Sequence, residues 1–363
     1  MLLEPILPHL AKLLLNNFCE VIIMRYIGVD LHKTSIVACY LDDGTFSHKS
    51  FKIQDIDKFK ATLSLDDEMC FETTTNSKWF HQQCNDSVSR IVVVNTNEFG
   101  AISASVRKTD KHDAKTLVIY LSKNMLPEVK VKSNEHQGLQ SIFTARKLIT
   151  KQVTMIKNQI HGILLGQGLI ISPYDLDSEL GIGRIHKLCA NSDILLAITP
   201  LTEILMVLTK KIAEFNQTLE KLGPLLPGYK NLKSIKGLGT NTIVLLLSTV
   251  GNIANFETHN KLSSYIGFVP KVRNSNNSIK HGAITKRGNS LLRGNLTMCA
   301  LVAIQHNALL NSFYLRIKAK GGHKKAIVAT ANKLVKIIFY TLKYNWYFTD
   351  FCKHERETLT INW

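Results

Sequence analysis

The sequence predicts an α/β domain with a mixed five-stranded sheet near its start, followed by a mostly helical remainder. Three observations predict this. The stretch from Arg25 to Tyr40, R-Y-I-G-V-D-L-H-K-T-S-I-V-A-C-Y, is β-branched and reads as two strands broken near His32-Lys33. Arg90 to Asn95, R-I-V-V-V-N, is a fully apolar strand of the buried, parallel kind. From residue 134 onward, apolar residues recur at helical spacing instead.

Between those strands each element has its own signal. Asp42-Asp43-Gly44 is a hairpin turn signal, and Thr45 to Ile53 reads as the third strand. Asp55 to Leu65 has helical spacing at Ile56, Phe59 and Leu63. Glu68-Met69-Cys70-Phe71 is a short apolar strand that ends on Glu72, and Ser77 to Asn85 can form a helix. Lys111 to Ser122 forms the last helix of the domain, with Ala114, Leu117, Val118 and Leu121 as its apolar stripe. Three meandering strands, then helix, strand, helix, strand, helix, is the order of a ribonuclease-H-like domain.

Composition narrows the function. The chain has 363 residues and is 45% hydrophobic, so it is globular. Lys and Arg total 45 against 28 acids, a formal charge of +17, which points to a polyanionic partner, nucleic acid first. The seven cysteines are scattered without a C-x-x-C, so neither a zinc ribbon nor a disulfide framework is suggested, and a reducing cytoplasm fits. No run has the length of a membrane-spanning helix. Neither a Walker P-loop nor a complete G-x-G-x-x-G is present, so nucleotide-driven chemistry is not suggested.

Four acids lie in apolar settings. Asp30 sits within the first strand and Glu72 ends the fourth. Asp110 lies one turn before Ala114 and Asp113 one turn before Leu117, so both continue the core-facing stripe of the helix. An acid early in a helix is an ordinary dipole partner, but that does not explain two on the buried face. Carboxylates this crowded repel, and divalent cations remove the penalty. Oxygen-only ligands suit Mg²⁺.

The rest of the chain reads as two helical parts. Residues 134–222 hold two long amphipathic helices, Leu139 to Leu164 and Leu195 to Leu222, as a helical hairpin or coiled coil. Ile171 to Ser192 between them, rich in Gly, Pro, Asp and Ser, reads as a loop. Residues 228–350 form a C-terminal domain. In it, Leu232 to Val250 gives a helix-hairpin-helix whose Gly237 and Gly239 let backbone N–H groups approach a phosphate. Lys271, Arg273, Lys280, Lys286, Arg287 and Arg293 then form a dense cationic set around a turn-rich, serine-bearing loop, followed by a helix over about Ser290 to Asn307. A serine there could be a nucleophile or merely part of a phosphate-binding surface.

With these residues assembled, the chain resembles the DEDD-type insertion-sequence transposases, the bridge-RNA-guided recombinase family. The resemblance runs from Met24 nearly to the C-terminus through Y-I-G-V-D, the strand ending in Glu72, K-T-D-K-H-D-A, S-I-K-G-L-G, and Y-I-G-F-V-P followed by I-T-K-R-G-N-S-L-L-R. It implies a resolvase-like nuclease domain over 24–130, a coiled-coil segment and a C-terminal transposase domain. It implies that Asp30, Glu72, Asp110 and Asp113 hold divalent metal and that Ser275 is the nucleophile. Its expected partners are DNA at element ends and target, a structured guide RNA, and further copies of the chain as a dimer or tetramer. The expected setting is a bacterial cytoplasm, at the nucleoid when DNA is bound.

The chain departs from the family pattern at Thr73-Thr74-Thr75 and at Asn276, which leaves Ser278 as a second hydroxyl and a decayed copy as an alternative. Residues 1–23 precede the resemblance and read as a dispensable extension or upstream-start artefact. Two rivals remain: a junction-resolving endonuclease that uses the acids and water, and a non-catalytic nucleic-acid-binding protein.

Overall fold

The computed structural model describes residues 24–96, 98, 99, 109–129, 134–275 and 278–360, with the backbone alone at 134, 273–275, 278–281 and 356–360. The extension read over residues 1–23 lies outside the described residues. The chain divides into two compact units, Met1–Val131 and Lys132–Trp363.

The first unit contains β1 (Tyr26–Leu31), β2 (Ser35–Asp42), β3 (Thr45–Lys52), α1 (Ile56–Lys60), β4 (Glu68–Glu72), α2 (Ser77–Cys84), β5 (Arg90–Val94) and α3 (Asp110–Ser122). Its mixed sheet has the order β3-β2-β1-β4-β5. β1 runs antiparallel to β2 and parallel to β4, and β4 parallel to β5. The β2–β3 turn places Asp43 at φ 43° and Gly44 at φ 75° between the paired Asp42 and Thr45. Two successive left-handed residues match the twist of a tight hairpin, and that is why Asp-Gly stands there.

Strand alternation gives the sheet two faces. Ile27, Val29, Leu31, Met69 and Phe71 pack against Phe59 of α1 and Phe80 of α2. On the opposite face Cys39, Cys70, Val92 and Val94 meet Ala114, Leu117, Val118 and Leu121 of α3. The helix expected over Asp55 to Leu65 covers only Ile56–Lys60. Beyond it Thr62 Oγ1 donates to the Phe59 carbonyl at 2.7 Å, and the Thr62 carbonyl accepts from Arg25 Nη2 at 2.8 Å. Arg25 is in turn paired with the buried Asp67 at 2.6 Å, so tertiary anchors pull the chain out of the helix.

The second unit contains α4 (Asn134–Gly166), α5 (Glu179–Leu188), α6 (Leu195–Leu222), α7 (Tyr229–Lys233), α8 (Thr240–Val250), α9 (His259–Ile266), β6 (Pro270–Ser275), β7 (Ser278–Ile284), α10 (Ser290–His306), α11 (Ala308–Lys343) and α12 (Phe348–Thr360). Every residue of α8 from Thr242 to Val250 is buried. Around it pack Leu292, Leu296 and Ala300 of α10 and Leu334, Val335 and Ile338 of α11. Leu139 and Phe143 of α4 and Leu219 of α6 join this core. At their other ends α4 and α6 share a smaller core through Ile160, Leu164, Ile198 and Leu205.

Two expectations fail here. The stretch read as a loop over Ile171 to Ser192 holds a 3₁₀ turn at Pro173–Asp177 and the ten-residue α5. Ser172 and Ser178 cap them by accepting the Tyr174 and Gly181 N–H groups, and Ile182 and Ile185 bury the inner face. The serine-bearing loop is a two-stranded hairpin, with Ser275 ending β6 and paired to Ser278 at the start of β7.

Candidate metal centre and nucleic-acid interface

The acid site is built at the carboxyl ends of two adjacent parallel strands, where open α/β sheets present their ligand sites. Val29 and Phe71 are the last residues that β1 and β4 pair with each other, and Asp30 and Glu72 follow one step on. Alternation turns both side chains to the face covered by α3. Gly28 is what lets that helix close. A Cβ there would lie 2.2 Å from the Ala114 carbonyl oxygen and 2.7 Å from the Val118 nitrogen.

α3 brings the other two acids from its first turn, capped by Thr109, which accepts the His112 N–H at 3.3 Å. Asp113 is half-buried and its Oδ1, shielded from solvent, has no hydrogen-bond partner. Asp110 does not reach the buried face that its spacing suggested: its side chain is 58% exposed. The first turn of α3 overhangs the strand ends, so the stripe through Ala114 runs out of sheet to cover.

His32, which the sequence reading overlooked, holds Asp110 in place. Its Nε2 lies 3.2 Å from Asp30 Oδ2 and 3.3 Å from Asp110 Oδ2. Asp30, His32 and Asp110 each turn a ligand atom into one region, all within 4.8 Å of one another. The signal was faint: His32 stands two residues after Asp30 but lies just past the end of β1. Asn76, in the turn after Glu72, donates to the His32 carbonyl at 2.9 Å and ties the two strand ends together.

Burial pushes the Asp30 carboxyl above its ordinary value; His32 opposes this, while Asp110 and Asp113 add to it. Glu72 is also raised, by burial first and then by Asp30 and Asp113. The repulsion therefore links all four carboxylates. Half-buried acids with raised proton affinity and one orphaned buried oxygen are costly unless a cation is supplied. This donor set fits a hard divalent metal, with one imidazole beside the oxygens.

The cationic residues of the second unit divide by role. Lys271, Lys286 and Arg287 are exposed. Arg273 and Lys280 face each other in the β6–β7 register. Arg293 is engaged internally, its Nη1 donating to the Ile266 carbonyl at 2.9 Å and the Arg287 carbonyl at 3.2 Å. Gly237 has φ 104°, and a Cβ there would lie 2.8 Å from the Ala303 nitrogen, so its glycine is required by packing on α10. Gly239 has open space where a Cβ would be.

Known proteins resemble the chain along most of its length. A DEDD-type transposase model of the IS110 kind matches residues 27–167. A second model, described as the transposase IS116/IS110/IS902 family, matches residues 229–315. The transposase for insertion sequence element IS1111A of Coxiella burnetii is 28% identical over 250 residues, 65% of this chain and 66% of that protein, just short of two thirds of its length. The pilin gene-inverting protein of Moraxella lacunata is 25% identical over 336 residues, 88% of this chain and 96% of its own. The transposase for insertion sequence element IS1328 of Yersinia enterocolitica is 22% identical over 288 residues, 77% and 84%. With Asp30, Glu72, Asp110 and Asp113 all inside the first matched region and Gly237 to Arg293 inside the second, the chain belongs to the IS110-type family of insertion-sequence transposases.

Proposed function

We propose that this protein cuts and rejoins DNA at the ends of an insertion sequence, using a four-carboxylate metal site and a serine nucleophile. The observation that carries the reading is the placement of Asp30 and Glu72 at adjacent strand ends beside the helix turn that bears Asp110 and Asp113, with ligand atoms of Asp30, His32 and Asp110 within 4.8 Å of one another. The sheet order β3-β2-β1-β4-β5, with α3 over the acid face, supports a ribonuclease-H-like fold for the first unit.

Bound among these acids, a divalent cation such as Mg²⁺ would polarise the phosphodiester and stabilise the leaving oxygen. Asp113 Oδ1, lacking any donor, is the ligand atom with most to gain. His32 orients Asp30 and Asp110. Ser275 Oγ forms a bond to phosphorus as the P–O3′ bond breaks, leaving a 5′-phosphoserine link and a free 3′-hydroxyl that takes the proton. Lys271 and Arg287, both exposed, are free to hold backbone phosphates.

A structured RNA encoded by the element belongs to this reading as the chooser of target and donor sites, and the net charge of +17 supports a polyanionic partner of that size. Exposed Leu148, Met155, Ile204 and Val207 on α4 and α6 support a homo-oligomer through the helix pair. No described helix is long and apolar enough to cross a membrane, and a cytoplasmic, nucleoid-bound protein fits the proposed substrate.

One observation favours a second reading. The acid site draws all its side chains from the first unit and needs no residue near Ser275, as a junction-resolving endonuclease would. The two are separated on a denaturing gel with labelled DNA and Mg²⁺. A protein-linked band supports the recombinase; free nicked DNA with no linked band supports the endonuclease; no metal-dependent product removes both.

A further inference from the structure

A cavity of about 340 Å³ lies where α4 passes the start of α8 and α10. Its α4 wall carries Arg146, Lys147 and Lys151, and its other wall carries Asn241 and Asn295. Lys147 and Lys151 are exposed, and among the described residues none of the three cations is paired with an acid. Arg146 is half-buried. Its Nε donates to Asn216 Oδ1 at 3.0 Å, the same oxygen that accepts from Asn241 Nδ2 at 2.9 Å. Burial holds its guanidinium below the ordinary value with no carboxylate to offset it.

Two further features belong to the same place. The first turn of α8 has Gly239 at its N-cap and no side-chain cap, so its leading N–H groups are left for a ligand. Asn241 Oδ1 is buried and has no hydrogen-bond donor. A half-buried arginine without an acid, two free lysines and an uncapped helix start make a site short of an anion. The spare acceptor beside them wants a donor, which a phosphodiester does not carry and a sugar hydroxyl or base N–H of the same strand would supply.

We propose that this cavity seats the phosphodiester backbone of a nucleic-acid strand, with the α4 cations holding adjacent phosphates. The cations at 146, 147 and 151 span about 7.5 Å of helix axis, a reach that suits neighbouring phosphates of one strand. The cavity also falls within the roughly 300–1,000 Å³ range of small-ligand pockets, so it has room for a whole nucleotide unit. The inference rests on the nucleic-acid reading above and adds a contact in the second unit, away from the β6–β7 hairpin and its cations.

The test is the binding of full-length protein to duplex DNA and, separately, to single-stranded RNA, across a salt series in EDTA. Lys147→Gln/Lys151→Gln removes two exposed cations and no internal bond. It is expected to bind about tenfold more weakly near 0.1 M salt, with a log–log salt slope shallower by about 1.4 on single strands or about 1.8 on duplex. The strand showing the change is the one the cavity holds. Lys210→Gln/Lys320→Gln removes the same charge from exposed positions on α6 and α11 and should leave the slope near wild type. An unchanged slope in the first variant on both nucleic acids, or an equal loss in the second, overturns the proposal while leaving the transposase reading intact. Failure of the wild type to bind either nucleic acid removes both.

Discussion

Asp110 Oδ2 lies 3.3 Å from His32 Nε2, and this contact joins the first turn of α3 to the end of β1. The same nitrogen is 3.2 Å from Asp30 Oδ2, so one imidazole bridges two carboxylates that would otherwise repel. The side chain of Asp110 is otherwise exposed. His32→Ala is therefore expected to release it and to raise the divalent-metal concentration needed for strand cleavage several-fold. The pair is too exposed to matter much for the fold, about 0.5 kcal/mol or less. Calorimetric titration with Mn²⁺ checks this. Equal affinity in wild type and His32→Ala would show that the imidazole positions nothing.

The acids themselves give a prediction of opposite sign. Asp30 and Glu72 both hold their protons more tightly folded than unfolded. Their contribution to stability is thus greatest at low pH. It falls as pH rises from the ordinary values of 3.8 and 4.5 through the raised folded values, and it stays lost above them. At neutral pH the metal-free fold carries the whole repulsion. Asp30→Asn and Glu72→Gln should leave the metal-free Tm unchanged or raise it, and should abolish the Tm rise on adding Mg²⁺. A lower metal-free Tm would mark these carboxylates as structural.

Gly28 tests the scaffold under the site. A methyl group there meets the Ala114 carbonyl oxygen at 2.2 Å and the Val118 nitrogen at 2.7 Å, both backbone atoms of α3. Neither can yield without moving the helix that bears Asp110 and Asp113. Gly28→Ala is expected to cost about 3 kcal/mol, at the upper end of overpacking penalties, and to weaken metal binding at temperatures where the chain is still folded. Urea unfolding measures the first effect; a midpoint within error of wild type would contradict the packing described.

Much of this was legible in the chain because its signals are local. Short β-branched and apolar runs placed Asp30 within a first strand and Glu72 at the end of a fourth, Asp43-Gly44 announced its own turn, and helical spacing assigned Ala114 to Leu121 to the sheet. Where tertiary contacts decide, the sequence reading failed. Gly181 and Gly183 looked like helix breakers within Ile171–Ser192, yet Gly181 belongs in α5 because a Cβ there would lie 2.1 Å from the Asp175 carbonyl oxygen. Asp110 had the spacing of a buried residue, but spacing cannot tell where the neighbouring strand ends. His32 was hidden because it follows the strand instead of lying in it. Gly237 and Gly239 looked alike as G-L-G, and only the approach of α10 separates them.

That separation can be measured. Gly237→Ala faces φ 104° and a backbone contact at 2.8 Å, so it should destabilise the second unit by about 2 kcal/mol or more. Gly239 has φ −80° and open space, so Gly239→Ala should fold as well as wild type. If the hairpin approaches a phosphate, the added methyl should still weaken nucleic-acid binding. A Gly239→Ala protein with wild-type stability and wild-type affinity would take the hairpin out of the interface.

The last prediction concerns the nucleophile. Ser275 and Ser278 face each other at the close of the β6–β7 hairpin, so register alone does not choose between them. The resemblance to the family favours Ser275, and the exposed Lys271 and Arg287 can bind phosphate whether or not a hydroxyl is present. Ser275→Ala removes no cation and should bind DNA with the affinity and salt dependence of wild type. It should form no covalent protein–DNA adduct, whereas Ser278→Ala should retain one. On a denaturing gel with labelled DNA and Mg²⁺, a linked band that survives Ser275→Ala and disappears in Ser278→Ala would move the nucleophile across the hairpin. A band that survives both would place it on another residue altogether.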